Sequence, residues 1–222
     1  SICSRTSRGR LIGPGPRELL APVYGWCTEG LDTADLQEAK ALLEDAGGVA
    51  VRGYRAATFS IGPGNLWAWD VLAEAGYDYS SSINPVQHDL YGMPDAPRFA
   101  FRPKGAEGIL EVPITTMVRK GRNIPCGGGG YFRLFPYALF RRNLNRVHAT
   151  DGESAIFYFH PWEVDPGQPK IGGVSVKTRV RHYLNLSRME RRLRSLLQDF
   201  RWGRMDEVFA DQLAGADRAS AA

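Results

Sequence analysis

Apolar positions along the chain fall into short runs broken by glycine and proline, and the runs differ in period. Leu36, Ala39, Leu43 and Ala46 recur at steps of three and four, which predicts a helix beginning near Leu36, with Asp32 and Thr33 as N-cap candidates and Gly47-Gly48 as the stop. "VAVRGYRA" reads as a short strand, "TFSIGPGN" as a loop, and "LWAWDVLAEAG" as a second helix closed by Gly76. "YDYSSSI" and "GILEVPI" read as strands either side of a proline-rich loop that contains "HDLYGMPDAPRF". The glycine run "CGGGGYFRLFP" leads into a helix, "YALFRRNLNRV". "AIFYF", from Ala155, is a continuous apolar run of strand length, as in a strand buried on both faces of a parallel sheet. Leu186, Met189, Leu193, Leu196, Leu197 and Phe200 form one stripe of an amphipathic helix. The alternation of strand and helix predicts an α/β fold with a largely parallel sheet. Residues 1–31 show no sustained period, and the alanine-rich end after Ala210 reads as a frayed tail.

Composition narrows the class only a little. The 222 residues suffice for one domain with a proper core, and 28 basic against 24 acidic side chains give +4, too little to argue for a nucleic-acid partner. Cys3, Cys27 and Cys126 are odd in number, far apart and outside any CxxC spacing, so they read as free thiols. No run of 18 apolar residues and no signal-peptide core is present, which predicts no membrane span and makes the cytoplasm the default compartment. The chain opens on Ser1 without an initiator methionine, so an incomplete N-terminus is expected.

Candidate chemistry centres on "AIFYFHPWEVD". His160 follows the apolar run, at the strand edge where parallel α/β sheets place reactive groups, and imidazole can hand a proton to a leaving group near neutral pH. The alternative is a histidine hydrogen-bonded in the core. Trp162 could offer a flat face to a sugar ring, while Glu163 and Asp165 could simply cap the following loop. Arg55, at the end of another short strand, could share a sheet edge with His160 and grip a carboxylate, or be a surface charge. The "GGGG" at residues 127–130 matches neither GxxxxGK[ST] nor GxGxxG and instead predicts unusual backbone angles or close approach to a ligand. His88 and His182 could bind substrate or support loops, His148 has a weaker case, and no HxxH or HExxH metal pattern exists. The arginines at 179, 181, 188, 191, 192, 194, 201 and 204 read as the solvated side of an amphipathic helix or as a polyanion site.

Taken together, "GYRAATFSI", "WAWDVLAEAGYDYSSSINPVQHDLYGMPDAPRF", "GGGGYFRLFPYAL", "FYFHPWEVDPGQP" and "RHYLNLSRMERRLRSLLQDFRWGRM" resemble the polysaccharide deacetylases of the NodB-homology group, in the branch found with bacterial exopolysaccharide and exosortase clusters. The resemblance runs from about Leu36 to Phe209. It implies a distorted (β/α) barrel, incomplete at the N-terminus, with residues 32–210 as the deacetylase domain, 1–31 as a poorly matching segment and 211–222 as a tail. It also implies a divalent metal, usually zinc, that activates a water against the acetyl carbonyl of an N-acetylated sugar. By resemblance His160 is the general acid and Arg55 orients the catalytic base; Trp162, His88 and Tyr131 are the candidate contacts to the expected N-acetylated polysaccharide or oligosaccharide.

The departures are specific. The family's aspartate pair and HxxxH segment belong upstream of Leu36 and are missing; "PRELLAPVYGWCTEG" stands there without a histidine, which predicts a truncated or frame-shifted start. Ala57 stands in place of a usual proline, which loosens the loop, and Ser80 in place of a usual aspartate, which removes a charge. The expectation is therefore a carbohydrate deacetylase impaired at its metal, with a non-catalytic sugar-binding remnant and a polyanion binder as the alternatives.

Overall fold

The computed structural model describes residues 33–88, 91–103 and 108–219. Contacts divide these into two compact units, Ile114–Val208 and residues 33–113 with 209–219.

The 33–113 unit opens with α1 (Thr33–Gly47), which buries Leu36 and Ala39 and is ended by Gly48 at φ +62°. It packs on α2 (Ala68–Glu74), which closes at Gly76, φ +77°. Three parallel strands, β1 (Gly53–Tyr54), β2 (Tyr79–Ser80) and β3 (Leu110–Glu111), lie in that order, with Tyr54, Ser80 and Glu111 in register. Each strand is two residues long, shorter than the apolar runs predict. Side chains take over the ladder: Ser82 and Ile83 donate their N–H groups to the Glu111 carboxylate at 2.8 and 2.9 Å, and the Ala56 N–H goes to Ser82 Oγ. Trp69, Leu72, Ile83 and Ile109 anchor the core, each burial stabilising by roughly 1.5–3 kcal/mol.

The end of the chain departs from the expected frayed tail. Ala210–Ala219 form a helix, α8, because Phe209 and Leu213 supply a buried pair at helical spacing that the alanine content hides. The Arg102 guanidinium also donates to the Gln212 carbonyl at 2.6 Å.

The 114–208 unit contains an antiparallel hairpin, β4 (Thr116–Arg119) and β5 (Arg122–Pro125), that the sequence reading missed. Its turn places Lys120 at φ 50° and Gly121 at φ 71°, both left-handed, as a two-residue type I′ connection requires. Helices α3 (Gly129–Leu134), α4 (Tyr137–Asp151), α5 (Val176–Tyr183), α6 (Leu186–Asp199) and α7 (Met205–Val208) follow. Phe132, Phe140 and Phe157 meet edge-to-face with centroids 4.7–5.8 Å apart, and Met189 and Leu196 of α6 are fully buried. Leu197, at the edge of the predicted stripe, is exposed instead.

The run from Ala155 is extended but is not a laddered strand. A single parallel bridge joins Tyr158 to Gly128, the Ile156 N–H goes to Thr115 Oγ1, and only Ile156 and Phe157 are buried. Cys126 is a buried free thiol beside the Thr115 carbonyl, whereas Cys3 and Cys27 lie outside the described residues, as does the predicted irregular segment 1–31.

Candidate functional site

The glycine run builds one side of the His160 neighbourhood. A Cβ on Gly127 would overlap the Ile156 carbonyl oxygen, one on Gly128 would press on the Tyr158 ring, and one on Gly129 would overlap the Glu163 carboxylate, whereas Gly130 faces open space. The close approach expected here is therefore to the protein's own chain, and no ligand is needed to explain the glycines. Backbone bonds seal the contact: Tyr158 N donates to Gly127 O and Gly129 N donates to Tyr158 O, each at 2.9 Å.

The approach of α3 brings Arg133 to Glu163. Their side chains are 3% and 2% exposed and meet at 2.9 Å, a buried charge pair. The rest of the Arg133 fork donates to the carbonyls of Arg181, His182 and Leu184, where α5 turns into α6. The other oxygen of Glu163 accepts the His160 N–H at 2.8 Å, while Glu163 N donates to His160 O. Glu163 is thus the predicted cap, with a buried cation added; Asp165 also caps, accepting from Gly167 N.

His160 itself is exposed and is not a core histidine. Its ring lies parallel to Trp162 at 5.8 Å and edge-on to Tyr158 at 6.0 Å. Trp162 is half-buried and is already stacked on His182 at 4.1 Å, with the Arg133 guanidinium 5.1 Å from its centroid, so much of its face is occupied by the protein. His182 bonds to Gln168 at 2.9 Å and His148 to the Glu153 carbonyl at 2.8 Å; both support loops. Tyr131, on α3, stacks with Phe135 at 6.1 Å.

Arg55 and His88 belong to the other unit. Arg55 stands just past the C-terminal end of β1 and donates to the Ser81 carbonyl and hydroxyl at 2.9 and 2.8 Å, so two of its donors serve the neighbouring strand end. Beyond it Thr58 and Phe59 both take left-handed φ, 57° and 53°, a strained pair for such side chains. Ser81 sits in a segment pinned by Glu111, which is fully buried and also accepts from Trp69 Nε1 at 2.9 Å. Burial raises the Glu111 pKa above the ordinary carboxyl range despite these donors, which pull it down. His88 is half-buried and stacks on Tyr91 at 4.0 Å.

Among the described residues no three His, Cys, Asp or Glu side chains converge as metal ligands. The zinc implied by the resemblance has no donor set in this part of the chain. Also among the described residues, no helix is long and apolar enough to cross a membrane.

Comparison with family models matches residues 81–210, more than half of the chain, to "Domain of unknown function (DUF3473)". The chain belongs to the DUF3473 family. No curated protein and no solved structure matches it. The DUF3473 match contains His88, Tyr131, His160 and Trp162 together with Arg133 and Glu163, and it leaves Arg55 outside.

Two supporting residues of this DUF3473 chain, Arg133 and Glu111, escaped the sequence reading, and Glu163 was read as a cap without its buried partner. Arg133 and Glu163 are thirty positions apart on a helix and a turn, and Glu111 sits in a run read only as strand. The one usable signal was the glycine run ahead of Arg133, which marks close packing without naming what packs.

Proposed function

We propose that the chain is part of a carbohydrate deacetylase of the NodB-homology type, a distorted (β/α) barrel that removes N-acetyl groups from amino sugars of a polysaccharide. The reading is carried by one observation: an exposed imidazole, His160, is held by a buried ion pair that fixes the main chain beneath it. In amide hydrolysis water adds to the acetyl carbonyl, the C–N bond breaks, and the departing amine nitrogen takes up a proton. His160 is the proton donor in this reading, and Arg55, tied to Ser81, is the orienting cation. The described residues hold no set of ligands for a zinc ion. The resemblance carries the substrate class, and the packed indole of Trp162 leaves its edge, more than its face, for a sugar.

The test is acetate release from N-acetylhexosamine oligomers by the full chain, with and without added zinc. Wild-type turnover that falls by about two to four powers of ten in His160→Ala supports the general acid. A loss under about threefold overturns it. Oligosaccharide binding without acetate release under any metal condition instead establishes the second reading, a non-catalytic remnant that uses the aromatic cluster of half-buried Tyr158 and Trp162 around exposed His160.

A further inference from the structure

The segment after the His160 turn carries a feature that deacetylation does not use. Helix α5 has no buried residue. Val176, Val180 and Tyr183 fall at i, i+4 and i+7 and therefore share one face of the helix. Val176 is 76% exposed, Val180 53% and Ile171 60%, so these side chains protrude into solvent rather than line a cleft.

Ile171 is brought to the same region by the Tyr183 hydroxyl, which accepts the Ile171 N–H at 2.9 Å and donates to the Pro169 carbonyl at 3.2 Å. Gln168, bonded to His182 and to the carbonyls of Trp162 and Asp165, straps the loop to the turn beneath. The apolar protrusions thus stand on a fixed platform. Helical geometry places Lys177 on one flank of the stripe and Arg179 on the other, both exposed, and Lys170 adjoins Ile171. No acidic residue occurs between Asp165 and Glu190, a stretch that contains Lys170, Lys177, Arg179, Arg181 and Arg188.

We infer that this face docks reversibly on an anionic lipid bilayer. A peptide helix would need a concave apolar seat, and a soluble polyanion would need the cations without the valines. Protruding aliphatic side chains ringed by lysine and arginine, with a tyrosine at the boundary, match the interfacial zone of a bilayer, where apolar groups enter the acyl boundary and cations meet headgroup phosphates. One short helix supplies modest affinity, so attachment is salt-sensitive and reversible.

The experiment is co-sedimentation of the full chain with vesicles of phosphatidylcholine alone or mixed with phosphatidylglycerol. The expected result is at least about tenfold stronger partitioning to the anionic vesicles, lost between about 0.1 and about 0.5 M salt as the screening length drops below about 5 Å. Val176→Ser with Val180→Ser, which leaves charge unchanged, should lower partitioning about tenfold, and Lys177→Gln with Arg179→Gln by a similar factor. Ile171→Ser, outside the helix, should lower it about threefold even if the valine variant disturbs α5. Absence of binding to anionic vesicles overturns the inference. Binding that survives the valine and isoleucine changes also overturns it, in favour of a polyanion site.

Discussion

Removing one partner of the Arg133–Glu163 pair is the sharpest test of how this site is built. The side chains are 3% and 2% exposed, so Glu163→Ala leaves a guanidinium in the interior with its Nε unpaired and leaves the His160 N–H without its acceptor. Breaking a buried pair from one side costs about 3–5 kcal/mol. For a unit of roughly one hundred residues each kcal/mol lowers Tm by roughly 4–8 °C. Glu163→Gln keeps an acceptor in place and should cost about 1.5–3 kcal/mol, the worth of a hydrogen bond to a charged group. Arg133→Met should be at least as damaging as Glu163→Ala, because three carbonyls at the α5–α6 junction lose their donor together with the carboxylate. Urea unfolding followed by circular dichroism and tryptophan fluorescence gives these values, and the double variant gives the coupling, expected at about 1–3 kcal/mol. Glu163→Ala within about 1 kcal/mol of wild type, or a coupling near zero, would show that the pair is hydrated and does not hold the turn.

Two further outcomes concern the glycine run and, in the other unit, Glu111. Gly127→Ala must push a methyl group into the Ile156 carbonyl and should destabilise by about 1–3 kcal/mol, while Gly130→Ala, inside α3 with open space around it, should stabilise by roughly 0.5–1 kcal/mol; urea midpoints of both variants check the contrast. For Glu111 the folded-state pKa lies above the unfolded value, so its contribution to stability is fully present below the ordinary carboxyl range and is lost as pH rises through the raised folded value. Urea midpoints at a series of pH values should show this decline in the wild type and a flatter profile in Glu111→Gln; equal slopes in the two would contradict the assignment.

Long periodic stretches were the legible part of this fold. Thr33–Gly47 and Leu186–Asp199 are helices where the apolar period says so, the first with its glycine stop, since a repeat of three and four specifies one face whatever the surroundings. The strands were legible in place and not in length. Whether a backbone N–H pairs with a strand or with a carboxylate is settled by residues distant in sequence, here Glu111 reaching Ser82 and Ile83. The Lys120–Gly121 hairpin was missed because lysine is an uncommon residue for a left-handed turn position. At the site, the exposed position of His160 at the end of an extended apolar run was legible. Its support was not, because the run of glycines shows that something packs there without showing that it is Glu163.

The ion pair bears on function through direction. A pair of aliphatic side chains could fill the space of Arg133 and Glu163, and buried pairs often stabilise no more than such a replacement. What the charged pair adds is a set of angles. One Glu163 oxygen faces Arg133 Nε, the other faces the His160 N–H, and the Arg133 fork reaches the carbonyls that begin α6. Three segments far apart in sequence are thereby locked to one carboxylate, and the residue left pointing out of the lock is the imidazole. In the proposed reaction the proton donor must keep to few orientations, and a fixed main chain beneath His160 narrows them where a free loop would not. The buried charges are therefore accounted for by what they hold still.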